Sequence, residues 1–105
     1  MKPGGLHVVM TTAPDTPTAE RLAETLVAEG LAACVQIVPG MTSFYVWQGE
    51  PERSEELLLL AKTVHPRDCL ARIEALHPYE TPEGVALPVT EGLAAYLRWA
   101  GAAEG

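Results

Sequence analysis

The stretch from Leu31 to Gln48 does most to restrict what this chain can become. It holds Cys34-Val35-Gln36-Ile37-Val38, a break at Pro39-Gly40, and then Thr42-Ser43-Phe44-Tyr45-Val46-Trp47. β-Branched and aromatic residues dominate both halves, so the stretch reads as strand interrupted once. Gln48-Gly49-Glu50-Pro51 is a turn signal. A return strand runs from about Ser54 through Leu57-Leu58-Leu59-Leu60 to Thr63.

The flanking segments complete the pattern. A short apolar strand, Leu6 to Thr11, ends in a turn at Ala13-Pro14-Asp15. A helix follows, capped by Asp15 or Thr16, with Pro17 in its first turn. Its apolar stripe is Ala19, Leu22, Ala23, Leu26 and Val27, the spacing of one buried face, and Gly30 closes it. A second helix starts at His65-Pro66, turns Leu70, Ile73 and Leu76 inward, and stops at His77-Pro78. A last strand, Gly84 to Val89, leads to a short C-terminal helix carrying Leu93, Tyr96, Leu97 and Trp99. The order β-α-β-β-α-β plus a final helix predicts an α+β, ferredoxin-like sandwich with an extended hairpin, two helices lying on one face of an antiparallel sheet. A chain of 105 residues has room for one domain, spanning 1–105.

The proportions are unequal. Eighteen extended residues from Leu31 to Gln48 reach about 60 Å, whereas a first helix of about fifteen residues covers about 22 Å. Even bent at Pro39-Gly40, the hairpin overruns the helices of its own chain. Yet Phe44, Tyr45, Val46 and Trp47 make its far half apolar on both faces. Left in water, such an arm is an aggregation hazard. Another copy of the chain is expected to cover it, giving a homo-oligomer in which hairpins meet edge to edge.

Charge and composition narrow the function. The formal charge is −7, and the cations Arg21, Lys62, Arg67 and Arg98 are scattered, so nucleic acid and anionic membranes are disfavoured partners. Met1 to Leu6 has no apolar signal-peptide core and no run approaches a membrane span, so a cytoplasmic location is the expectation. In that reducing setting Cys34 and Cys69 are expected as thiols. The chain has no asparagine and 9 prolines, which fits either a thermophile avoiding deamidation or a GC-rich genome.

Leu76-His77-Pro78-Tyr79-Glu80-Thr81-Pro82-Glu83 gathers an imidazole, a phenol and two carboxylates into a loop. Pro78 and Pro82 push His77 and Thr81 out of helical geometry, so the loop is stiff. His77 is the leading metal ligand, because neutral imidazole suits copper, nickel and zinc, with Glu80 and Glu83 as oxygen donors. A histidine ending a helix equally serves to satisfy free carbonyls. Cys34 is expected as a small buried hydrophobe, Cys69 as inert, and His7 and His65 in surface or capping roles. Trp47, Tyr45, Tyr79 and Lys62 suit either a small-molecule pocket between subunits or a plain interface.

Thr12-Ala13-Pro14-Asp15, Leu31-Ala32-Ala33-Cys34-Val35 and Pro39-Gly40-Met41-Thr42-Ser43 resemble the CutA divalent-cation tolerance proteins. So do Tyr45-x-Trp47-x-Gly49, Lys62-Thr63, His77 to Glu83, Leu87-Pro88-Val89 and Tyr96-Leu97-x-Trp99. The resemblance runs in register from about residue 8 to 100. It implies a ferredoxin-like subunit in a homotrimer similar to the PII signalling proteins, and a cytoplasmic role in tolerance of copper and other divalent cations. No enzymatic reaction comes with it. Some bacterial members carry a cysteine just before the Thr-Ala-Pro-Asp block and a second histidine before Pro-Tyr; here those positions are Thr11 and Leu76, so a copper site built on those ligands does not transfer.

Three readings follow. The first is a non-enzymatic trimer binding divalent cations, copper above all, through His77, Glu80 and Glu83. The second is a PII-like signalling or binding module whose inter-subunit cleft holds a small metabolite, with Lys62, Tyr79 and Glu80 as contacts. The third is a trimeric scaffold. Enzyme classes fall away: there is no G-x-S-x-G elbow, Walker loop or GxGxxG. Acylphosphatase chemistry on this fold needs an asparagine, and an RNA-recognition domain needs a basic, aromatic sheet face.

Overall fold

The computed structural model describes residues 5–103; the opening residues 1–4 and the last two residues of the small-residue tail lie outside the described residues. The elements are β1 (His7–Ala13), α1 (Thr16–Ala28), β2 (Cys34–Trp47), β3 (Glu50–Thr63), α2 (Pro66–Leu76), β4 (Val85–Pro88) and α3 (Ala94–Ala103). They form one antiparallel sheet in the order β2-β3-β1-β4. This is the expected ferredoxin-like arrangement. The return strand is longer than its composition suggested, beginning at Glu50 beside the turn instead of near Ser54.

Capping residues fix the helix boundaries. The Asp15 carboxylate accepts from the Thr18 amide at 2.9 Å, closing the first turn of α1, and Pro17 sits in that turn. Gly30, at φ 71°, reverses the chain after α1, and the Leu31 amide donates back to the Leu26 carbonyl. Pro66 opens α2 behind His65, and Pro78 holds its C-cap, His77, in extended geometry at φ −73°, ψ 138°.

The core lies between α1, α2 and one sheet face. Val9, Ala61, Leu26, Cys69 and Ile73 form one cluster; Ala13, Leu59, Ala19 and Leu22 form the next, and Val35 packs against both. Cys69 is buried there, as its inert assignment requires. Val27 departs from the expected stripe and is exposed, lying at the edge of the buried arc. The opposite face carries Val8, Met10, Cys34, Leu58 and Leu60. α3 contacts this side of β3, and Ala100 is fully buried. Cys34 is therefore only half-buried, on the α3 side, not in the main core.

At Pro39-Gly40 the strand bulges where a break was expected. Val38 pairs with Leu58 and Met41 with Glu56, so two residues of β2 oppose Leu57 alone. Gly40 adopts φ 77°, as a bulge of this kind requires. Pro39 is tolerated because β2 is an edge strand. The extra residue changes the parity of β2. Before it, Cys34, Gln36 and Val38 share the α3 face with Lys62, Leu60 and Leu58; after it, Met41, Ser43, Tyr45 and Trp47 do so with Glu56, Ser54, Glu52 and Glu50.

The hairpin closes through Gln48 and Gly49, at φ 51° and 82°, a two-residue turn with both residues left-handed. As the strand proportions predicted, the arm projects: the molecule measures 44 × 25 × 23 Å. Phe44 and Val46, on the face beyond the reach of α1, are 75% and 70% exposed.

Candidate functional site

The loop after α2 is fastened to β1 at both ends. β4 stops opposite Met10, so β1 continues beyond it without a strand on that side. There the His77 imidazole takes over: Nε2–H donates to the Thr12 carbonyl at 2.6 Å, while Nδ1 accepts from the Tyr79 amide at 3.2 Å. These partners assign the tautomer, since a carbonyl only accepts and an amide only donates. At the other end Thr11 Oγ1 donates to the Glu83 carbonyl at 2.7 Å. His77 is 9% exposed.

His77 therefore differs from the metal ligand expected of it. Both ring nitrogens are engaged within the chain, so as placed it offers no lone pair to a cation. Among the described residues no three His, Cys, Asp or Glu side chains converge as a metal site would require. Of the expected trio, Glu80 and Glu83 reach the same groove, whereas His77 lies buried behind it and holds the loop in place.

That groove, of about 690 Å³, runs between the loop and the inner face of the arm. Tyr45, Trp47 and Tyr79, together with Phe44, supply its aromatic lining; Glu56, Glu80 and Glu83 line it with acid. Tyr45 Oη and Ser54 Oγ are hydrogen-bonded at 2.8 Å across the strands. Tyr79 Oη donates to Glu56 at 3.2 Å, and the Tyr79 ring lies 4.7 Å from the His77 ring. The bulge is what admits Tyr45 and Trp47, because without its change of parity Phe44 and Val46 would take their face.

Lys62 does not join Tyr79 and Glu80 within one chain. It lies six residues from Glu56 along β3, about 20 Å away at strand spacing, where its ammonium donates to the Gln36 carboxamide. None of the groove's lining residues is basic. Glu56 and Ser54, by contrast, escaped the sequence reading. Their placement follows from a pairing register that Pro39-Gly40 hints at but does not define.

Partial burial first, and then the Glu56 carboxylate, push the Tyr79 phenol up to about 12. Burial raises the Tyr96 phenol as well, so the step at about 12 in phenolate absorbance is assigned by its loss in Tyr79→Phe. A Tyr79 titrating together with the other tyrosines would mean that the contact with Glu56 does not form.

A family model described as CutA1 divalent ion tolerance protein matches residues 7–103. The divalent-cation tolerance protein CutA of Thermus thermophilus is 54% identical over 95 residues, covering 89% of this chain and 92% of that protein. Among solved structures, CutA from Xylella fastidiosa superposes with a TM-score of 0.93 at 43% identity, over 96% of this chain and 99% of that one. The divalent cation tolerance protein from Thermus thermophilus gives 0.89 at 50% identity, over 95% and 99%. With its own fold, its loop and nearly its whole length matched in this way, the chain belongs to the CutA1 divalent ion tolerance protein family.

Proposed function

We propose that this protein is a homotrimeric, cytoplasmic divalent-cation-binding protein that acts in cation tolerance without catalytic turnover. Family membership supports the divalent cation. The observation that carries the assembly is the arm, whose Phe44 and Val46 stand in solvent beyond the helices of their own chain. In this reading a second copy covers them, and three copies close a ring, as the family resemblance implies.

One chain does not supply a complete ligand set. A cation held by Glu80 and Glu83 therefore takes further donors from a neighbouring copy. Copper is the ion to test first, because its preference for imidazole can draw in His77 once Nδ1 releases the Tyr79 amide. Sedimentation equilibrium at micromolar concentration should return the mass of three chains; a monomer would sink the assembly. Calorimetry with copper should give saturable binding that the double variant Glu80→Gln/Glu83→Gln weakens at least tenfold. Unchanged binding would remove this loop from the cation's path.

A further inference from the structure

We propose that the groove between the arm and the 77–83 loop binds a linear alkylammonium compound, a di- or polyamine. The proposal goes beyond cation tolerance and rests on the groove's own chemistry. Three carboxylates, Glu56, Glu80 and Glu83, line it, and none of its lining residues is basic. Within one chain these acids do not converge on a single point as the ligands of an inorganic cation do, so a metal ion here would need donors from a second copy. Acids spread along a groove suit a charge that is likewise spread, as ammonium groups separated by methylenes are.

The aromatic lining points the same way independently of the acids. Tyr45, Trp47 and Tyr79 offer π faces that attract an ammonium and apolar surface that accommodates the intervening methylenes. Hydroxyls of Ser43, Ser54 and Thr81 add acceptors for N–H donors. A quaternary ammonium has no N–H to donate to these groups or to the carboxylates. Primary and secondary ammonium groups are therefore the better match. A volume of about 690 Å³ accommodates a chain of this kind.

The test is calorimetry at low ionic strength in the presence of a chelator, with spermidine, putrescine and tetramethylammonium as probes. Spermidine should bind saturably, and tetramethylammonium at least tenfold more weakly. Glu56→Gln and Glu80→Gln, which keep side-chain size, should each weaken spermidine about tenfold, the scale of one charge-assisted hydrogen bond. In a Trp99→Phe background the remaining tryptophan, Trp47, should report the binding by fluorescence. Absence of saturable spermidine binding by the folded protein would overturn the proposal. So would binding that both glutamine variants leave unchanged, which would signify diffuse attraction to an acidic surface, or equal binding of tetramethylammonium. If Glu56→Gln disturbs folding, Glu80→Gln, on the exposed loop, carries the test alone. Because the chelator removes divalent metal, failure here leaves the copper titration and the sedimentation result to stand or fall on their own.

Discussion

His77→Ala should be the most destabilising single change in the loop, costing about 3 kcal/mol, the sum of a stranded buried acceptor and the lost packing of a ring. The acceptor is the Thr12 carbonyl, which loses the Nε2–H donor 2.6 Å away at a residue only 4% exposed. The ring also packs against Tyr79 and accepts its amide, so the loop would lose its fastening to β1 at that end. For a domain of this size the melting temperature should fall by roughly 10–20 °C at fixed protein concentration. Two further variants separate the causes. His77→Gln restores an N–H donor for Thr12 and should recover more than half of the loss. His77→Phe restores volume without a donor and should recover little. Equal recovery by both would mean that packing alone matters. A melting temperature unchanged in His77→Ala would show that the imidazole is not the fastening described above.

Much of the architecture was legible because each element announced itself locally. Asp15 and Pro17 opened α1, Gly30 closed it, and the leucine stripe aimed it at the sheet. The reach of the arm followed from counting strand residues against helix residues. The site was legible only in part, since its loop is contiguous in sequence but its opposite wall is not. Tyr79, Glu80 and Glu83 were found because Pro78 and Pro82 mark a stiff corner. Glu56 and Ser54 were missed because they belong to the groove only through the pairing of β3 with a bulged β2. Lys62, expected in a pocket between subunits, does not meet Tyr79 and Glu80 within one chain, because it lies at the far end of β3 from Glu56. Which of its two expected roles His77 takes was not legible, for another reason. An imidazole at a helix end can face solvent or its own backbone, and the deciding partner, the Thr12 carbonyl, is 65 positions away.

Substitutions at Gly40 should rank Asn, Ala, Val in order of increasing damage, the reverse of their fitness for a strand. A Cβ added there meets nothing within 4 Å, so contact cannot penalise any of them. What remains is the backbone, held at φ 77°. Asparagine tolerates that region, alanine should lose about 1–2 kcal/mol, and a β-branched residue more. Strand propensity, worth up to about 1 kcal/mol, would favour valine instead, so the sign of the Val–Ala difference decides between the two effects. Relief by rearrangement is closed off. Pairing Pro39, Gly40 and Met41 regularly with Leu57, Glu56 and Glu55 would carry the ladder to Trp47 opposite Gly49, leaving no two-residue turn. It would also put Phe44 and Val46 on the groove face in place of Tyr45 and Trp47. Deleting Gly40 behaves differently, because it leaves Pro39 alone opposite Leu57 and keeps Met41 opposite Glu56. The deletion should therefore preserve the groove's aromatic wall and the raised ionisation of Tyr79, whereas Gly40→Val, with no other register open to it, should lose stability. Thermal melts paired with phenolate titration of the three substitutions and the deletion would show this, and a Gly40→Val protein as stable as the parent would mean that the bulge is not what orients the arm.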